Sequence, residues 1–379
     1  MSKIAIVNRT NLKNYGSVLQ CYALCKAVSD LGFETEILWE QGNVSKNFDF
    51  RFIKIIKTVL QMVTHPFLIK STIKNIKEVQ EKPVDIETVK LFEQFVDKFI
   101  NQKLMTHKNL VRHAKGTEYL KFICGSDQVW CSTTMYVDPL MYLRFAPRQK
   151  RIAYAPSIGR NYIPAYNRRK MKKYIMDIPF VSIREEEGQR LIKELTGRDV
   201  PVVLDPTLLL EKEAWELLKN RSITKKNPYI LCYFLDIPSD EIQKEIEKCA
   251  ENNNLQLISI GRNLNDISNS VKIMSPPCGP NEFISYISEA DLVITDSYHG
   301  MLFSILFEKR FWSVERAYQQ FDQSSRQLTI LRRLELEKRY LTKYWKFTLE
   351  NIDYIAVNNL LKGLKERSKC YLRAAIEDN

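Results

Sequence analysis

Residues 291–300 read DLVITDSYHG, and the rest of the chain is organised around them. Residues 291–295 form a short apolar run of strand type, 296–300 a polar turn, and 301–307 (MLFSILF) a buried helix. A strand that breaks into a polar turn and restarts as a helix sets side chains at the carboxyl edge of a sheet. Open α/β sheets bind their ligands there. Free backbone N–H groups at the helix start also favour an anion. His299 sits in this turn and is one of four histidines, with His65, His107 and His113. The local pattern fits two readings evenly: a ligand-facing imidazole, or a half-buried histidine beside a helix cap formed by Asp296 or Ser297.

The same unit recurs along the chain. Residues 3–7 are a strand, 8–14 a polar loop, and Tyr15-Gly16-Ser17 opens a helix that Gly32 stops. Gly16 is expected to let a ligand approach the backbone closely. Apolar runs at 122–124, 151–154, 180–183 and 202–204 each end in a polar turn. These turns hold Asp127 and Gln128, Ser157, Arg184, and Asp205. A second series follows Asn227-Pro228: strands at 229–234, 255–260 (ending in Gly261-Arg262), 271–274, 291–295 and 311–314. Strands alternating with helices imply mostly parallel sheets. The expected fold is therefore α/β, with two Rossmann-like doubly wound domains facing across a cleft that holds the ligand. The expected division is 1–210, with a helical insertion at about 45–118, then 211–345. A helical segment, 346–379, would pack back on the first domain.

Composition narrows the partners. The chain has 379 residues, 45% of them hydrophobic, and a formal charge of +12. The excess points to anionic ligands or an acidic surface. No nucleic-acid motif is present, and aromatic residues do not interleave with Lys and Arg in a sheet pattern. The eight cysteines form no C-x-x-C pair and no cluster with zinc spacing, so free thiols and no metal are expected. Residues 52–69 form a basic amphipathic pattern. With Lys70, Lys74 and Lys77, the segment 52–77 is suited to peripheral contact with an anionic membrane. No signal-peptide pattern or bilayer-length apolar run appears, so a cytoplasmic placement is expected, peripheral at the inner face of the membrane if that contact is made.

Six blocks carry a family resemblance: NYGSVLQCYAL (14–24), CGSDQVW (124–130), YAPSIG (154–159), SIREEEG (182–188), LDPTLLL (204–210) and VITDSYHG (293–300). Their order resembles that of the polysaccharide pyruvyl transferase family. Each block alone is weak, but together they are specific. The resemblance implies a GT-B-like fold and transfer of a pyruvyl group from phosphoenolpyruvate to a sugar, giving a cyclic ketal. The sugar would belong to a cell-surface glycan or its lipid-linked precursor. Some members carry Arg-Leu-His where this chain has Ser297-Tyr298-His299, so either another cation holds the donor here or the donor differs.

That chemistry assigns expected roles. Protonating the enol carbon suits a group that titrates near neutral pH, which makes His299 the candidate general acid or base. A donor with a carboxylate and a phosphate suits forked guanidinium pairing. Arg184 is the first choice for this and Arg262 the second. Gly16, Ser17, Ser297, Tyr298 and Gly300 would complete the donor site. Asn14, Tyr15, Asp127, Gln128 and Ser157 would meet the acceptor. Asp205 reads as a turn or cap residue, and Glu185 to Glu187 as the first turn of a helix. No cofactor is expected beyond phosphoenolpyruvate as co-substrate. A nucleotide-sugar glycosyltransferase of the same two-domain architecture, acting in surface polysaccharide synthesis, is the competing reading.

Overall fold

The strands that carry the fold are apolar on both faces. Every residue of 151–156 and of 229–234 is buried, the signature of parallel strands covered on both sides by helices. The computed structural model describes residues 3–8, 14–40, 85–133, 137–261, 264, 273–316 and 324–378. The amphipathic segment 52–77 and Arg262 lie outside them.

The first lobe contains β1 (Lys3–Val7), α1 (Tyr15–Ser29), β2 (Glu34–Glu40), α2 (Ile86–Phe99), β3 (Gln102–Met105), α3 (His107–Lys115), β4 (Tyr119–Asp127), β5 (Arg151–Pro156), α4 (Ala165–Met176), β6 (Phe180–Val181) and α5 (Glu186–Thr196). The second contains β7 (Tyr229–Phe234), α6 (Asp240–Asn252), β8 (Gln256–Gly261), β9 (Ile273–Met274), α7 (Pro280–Glu289), β10 (Leu292–Thr295), α8 (Tyr298–Leu306), β11 (Phe311–Val314), α9 (Ser325–Arg333) and β12 (Tyr340–Leu341). A final helix, α10, spans Tyr354–Glu377.

Both sheets are parallel and six-stranded, in the orders β3-β2-β1-β4-β5-β6 and β12-β11-β10-β7-β8-β9. Renumbered within its lobe, the second order is also 3-2-1-4-5-6. The fold is thus two Rossmann-like domains. In each, the strand order reverses between the first and fourth strands, and ligands bind beside that switch point. In the first lobe β1 and β4 flank it, so α1 and residues 125–128 stand over it. In the second lobe β7 and β10 flank it, so the start of α8 stands over it.

The lobes are closed on each other. One apolar cluster runs through both, taking in Tyr15 and Val18 of α1, Phe92 of α2, Tyr233, Phe283 and Phe303. Tyr15 stacks on Phe283 with centroids 4.5 Å apart, and its hydroxyl donates to the Cys278 carbonyl at 2.8 Å. Glu186 at the start of α5 accepts from Arg333 of α9 at 3.3 Å. Helix α10 crosses to the first lobe. Its Ser368 Oγ accepts the Leu204 N–H at 3.0 Å, and its Lys365 pairs with Glu211 at 2.6 Å.

Two local expectations change. The described part of the insertion is not wholly helical: β3 extends the first sheet beyond β2. The helix α2 also reaches across the lobe boundary. Its Thr88 hydroxyl accepts the Cys278 N–H at 3.1 Å, tying the insertion to the second lobe. Residues 202–204 form no strand; Val202 makes a single bridge to Ile183, and Asp205 ends the run at once.

Candidate active site between the lobes

β10 is a buried run that ends where Asp296 meets the sheet edge. Ser297 then caps α8, its hydroxyl accepting the Gly300 N–H at 3.3 Å. Tyr298 and His299 are the first two helical residues. The imidazole of His299 leaves its own lobe and rests on the first. A Cβ placed on Gly16 would lie 1.9 Å from His299 Nδ1, so only glycine fits at the start of α1. Gly16 was expected to admit a ligand to the backbone; it admits this ring instead. On its other side, His299 Nε2 stands 3.6 Å from Asp205 Oδ2, an ion-pair distance longer than a hydrogen bond. Nε2 is buried and has no hydrogen-bond partner.

Asp205 is more than a cap. Its Oδ1 accepts from the Thr207 N–H at 3.0 Å and the Thr207 hydroxyl at 2.8 Å. Its Oδ2 accepts from Arg184 Nη1 at 2.6 Å and the Ser126 hydroxyl at 2.9 Å. Burial works against this carboxylate, but His299, Arg184 and the Thr207 N–H outweigh it and hold Asp205 well below the usual carboxylate range.

Arg184 is buried at 3% exposure, and its guanidinium lies 4.5 Å over the Tyr298 ring. Its Nη2 is 3.6 Å from Asp127 Oδ1, while Nε and Nη2 have no hydrogen-bond partner. Burial alone would weaken its charge. Tyr298, Asp205, Asp127 and Glu185 more than offset that and raise its pKa above the ordinary arginine value. A second guanidinium, Arg326 of α9, lies 5.8 Å from the same ring. Burial and then repulsion from Arg184 push it down to about 10. Arg326 carried no signal in the sequence, because it comes from a helix remote from any strand-end turn. Tyr298, expected in the donor site, holds these two cations over its ring.

The remaining sites divide. Asn14 caps α1 by accepting the Ser17 N–H at 3.1 Å, so that amide is not offered to a donor. The same holds for the Gly300 N–H. Tyr15, expected at the acceptor, is packed among Phe92, Tyr233 and Phe283 and has no open ring face for a sugar. Ser157 is fully buried and donates to Glu185 Oε1 at 3.0 Å. The Ile158 and Gly159 N–H groups donate to the same oxygen at 2.8 and 3.1 Å. Glu185 is therefore a clamp on the loop after β5 and not simply a first-turn carboxylate. Asp127 and Ala155 have φ of 71° and 52°, left-handed values that non-glycine residues adopt at a cost of about 1–3 kcal/mol. Asp127 ends β4 beside the switch point, and Ala155 lies near the end of the neighbouring β5. The Asp127 side chain is one quarter exposed. Gln128 packs against Gly159, where a Cβ would come within 2.2 Å of its amide nitrogen.

A second knot steadies the edge of the other lobe. The Asp296 carboxylate accepts the N–H groups of Leu235 at 2.7 Å and Asp236 at 3.0 Å. Arg316 pairs with Asp236 through two bonds of 2.8 Å. Burial lifts Asp296 to about 6, against the opposing pull of Arg316 and the two amides. Among the described residues, no group of three or more His, Cys, Asp and Glu is arranged to hold a metal ion, and no helix is long and apolar enough to cross a membrane.

Comparison with solved structures finds the same two-domain architecture. The UDP-N-acetylglucosamine 2-epimerase of Neisseria meningitidis, solved with UDP-GlcNAc bound, superposes with a TM-score of 0.50 at 9% identity. The match covers 99% of this chain and 94% of that one. A Listeria monocytogenes protein provisionally identified as the same kind of epimerase gives 0.50 at 9% identity, covering 99% and 90%. At such identity the likeness shows the fold alone, the GT-B arrangement of two facing Rossmann-like domains. The curated proteins contain no match to the sequence. The sequence model of polysaccharide pyruvyl transferases matches residues 14–318, a span that takes in α1, Arg184, Asp205 and His299 alike, and the chain belongs to that family of transferases.

Proposed function

We propose that the protein transfers a pyruvyl group from phosphoenolpyruvate to a pair of sugar hydroxyls, closing a cyclic ketal. The acceptor would be a cell-surface polysaccharide or its lipid-linked precursor, met in the cytoplasm or at the inner face of the membrane. One observation carries the reading. An imidazole from one lobe faces a buried Asp205–Arg184 ion pair of the other, and His299 Nε2, Arg184 Nε and Arg184 Nη2 all lack hydrogen-bond partners there. Unsatisfied buried donors of this kind suit an anionic ligand.

In the proposed reaction His299 delivers a proton to the methylene carbon of the donor, and a sugar hydroxyl oxygen bonds to the adjacent carbon. The carbon–oxygen bond to phosphate then breaks, phosphate leaves, and the second hydroxyl oxygen takes its place on the same carbon. Of the two hydroxyl protons released, one balances the proton spent on the methyl group and the other leaves with phosphate. Asp205 steadies the protonated imidazole. The open donors of Arg184 face the carboxylate or phosphate, and Arg326 supplies the second cation in place of the arginine absent at Ser297. Asn14, Asp127 and Gln128 of the first lobe are the proposed acceptor contacts.

Incubating the protein with phosphoenolpyruvate and a sugar acceptor tests the reading. Acceptor-dependent phosphate release together with a product 70 Da heavier is expected. The Neisseria epimerase, bound to UDP-GlcNAc, shares the fold, which makes a nucleotide-sugar donor the second reading. Tight binding of a nucleotide sugar with no phosphate released from phosphoenolpyruvate would favour it.

A further inference from the structure

Helix α4 carries Arg168, Arg169, Lys170, Lys172 and Lys173 and no acidic residue. All five are exposed. Its other face, with Asn167, Met171 and Ile175, is buried against the first lobe. At 100° per residue the outward face also presents Tyr166 and Met176, which are 48% and 44% exposed. Several surface cations elsewhere are compensated. Arg190 pairs with Glu187 and Glu194, Lys193 with Asp199, and Lys248 with Glu245. On α4, Arg168, Arg169, Lys172 and Lys173 form no ion pair among the described residues. The nearby carboxylates do not serve them: Asp177, at the end of the helix, is held by Arg144. Arg168 and Arg169 also stand near the N-terminal end, where the helix dipole disfavours cations.

An uncompensated row of like charges raises the free energy of the folded chain unless an opposite surface meets it. A face of Lys and Arg with an aromatic ring and a methionine among them matches the interfacial zone of an anionic bilayer. A nucleic acid would complement the charges but not Tyr166 and Met176. We propose that α4 is a docking face for a membrane rich in anionic phospholipid. The helix begins where the loop after β5 ends, and that loop is the one clamped by Glu185. The inference does not depend on which donor the site uses.

Co-sedimentation of the full chain with vesicles of phosphatidylcholine, with and without 30% phosphatidylglycerol, tests it. Partition is expected to require the anionic lipid and to fall as salt rises from 0.1 to 0.5 M, as screening shortens the reach of exposed charges. Neutralising one charge, Arg169→Gln, should weaken partition about fivefold. Arg168→Gln with Arg169→Gln, Lys172→Gln and Lys173→Gln should weaken it more than about 100-fold. Glutamine is a good helix former, so the circular dichroism melt should not move. A control with Arg190→Gln, Lys193→Gln and Lys248→Gln should bind like the parent. Equal binding to uncharged vesicles would overturn the proposal. So would equal loss in the control, or a quadruple variant that binds normally. Preference for a double-stranded DNA over the vesicles would overturn it in favour of nucleic acid.

Discussion

Gly16 and His299 share one small volume across the lobe boundary, so the position of the imidazole is set by the absence of a side chain elsewhere. Gly16→Ala should leave α1 at least as stable, since alanine is favoured over glycine in a helix by about 1 kcal/mol. The ring, however, must move. A displacement of about 1 Å at a catalytic group can cost about 100-fold in rate, so kcat should fall by about that factor, and crowding of the packed lobe boundary should cost about 1–3 kcal/mol of stability. Asp205 makes a different prediction. Asp205→Asn leaves Arg184 charged and buried with its best partner gone, a loss of about 3–5 kcal/mol in urea unfolding at neutral pH. The native carboxylate has a depressed pKa, so its contribution is present above the unfolded value and lost as pH falls towards the folded one. The gap between parent and variant should therefore narrow below about pH 4.

At the scale of elements, the knot between the loops after β7 and β10 carries the opposite sign. Asp296 is raised to about 6 from 3.8, so the fold favours its protonated form. Its stabilising effect is full below the unfolded value and lost as pH rises through about 6. Relative to Asp296→Asn, the parent should lose about 2 kcal/mol between pH 4 and 6. A flat difference across that range, measured by urea midpoints, would contradict the assignment. The elements themselves were legible in uneven measure. β4, β5, β7 and β10 announce themselves as apolar runs that stop at polar turns. β3 (QKLM) and β12 (YL) do not: they are short and half-exposed, and their strand state comes from pairing with β2 and β11. Among site residues, the sequence places His299 in a strand-to-helix turn, and it is there. Asp205 and Glu185 looked like cap and helix residues, because their partners lie far along the chain; Ser126 is 79 residues from Asp205. No local pattern encodes such a meeting.

Over the whole molecule, the lobes close through Tyr15, Phe283 and the aromatic residues around them, and the same closure buries the site. His299 is 7% exposed and Arg184 3%, so substrates reach them only when the lobes part. Tyr15→Ala should remove about 3–5 kcal/mol of stability. Tyr15→Phe, which keeps the stack and loses only the bond to the Cys278 carbonyl, should remove about 1 kcal/mol. Equal losses in the two variants, by urea unfolding, would show that the ring stack does not hold the lobes together.

His299 is proposed to protonate the donor inside this closed site, and turnover in D₂O reports on that step directly. With phosphoenolpyruvate and acceptor, the parent should form a ketal whose methyl group carries one deuterium, seen by mass spectrometry. His299→Ala should still bind phosphoenolpyruvate, yet form no ketal and exchange no donor hydrogen for deuterium. A deuterated ketal formed by His299→Ala at near the parental rate would contradict the account.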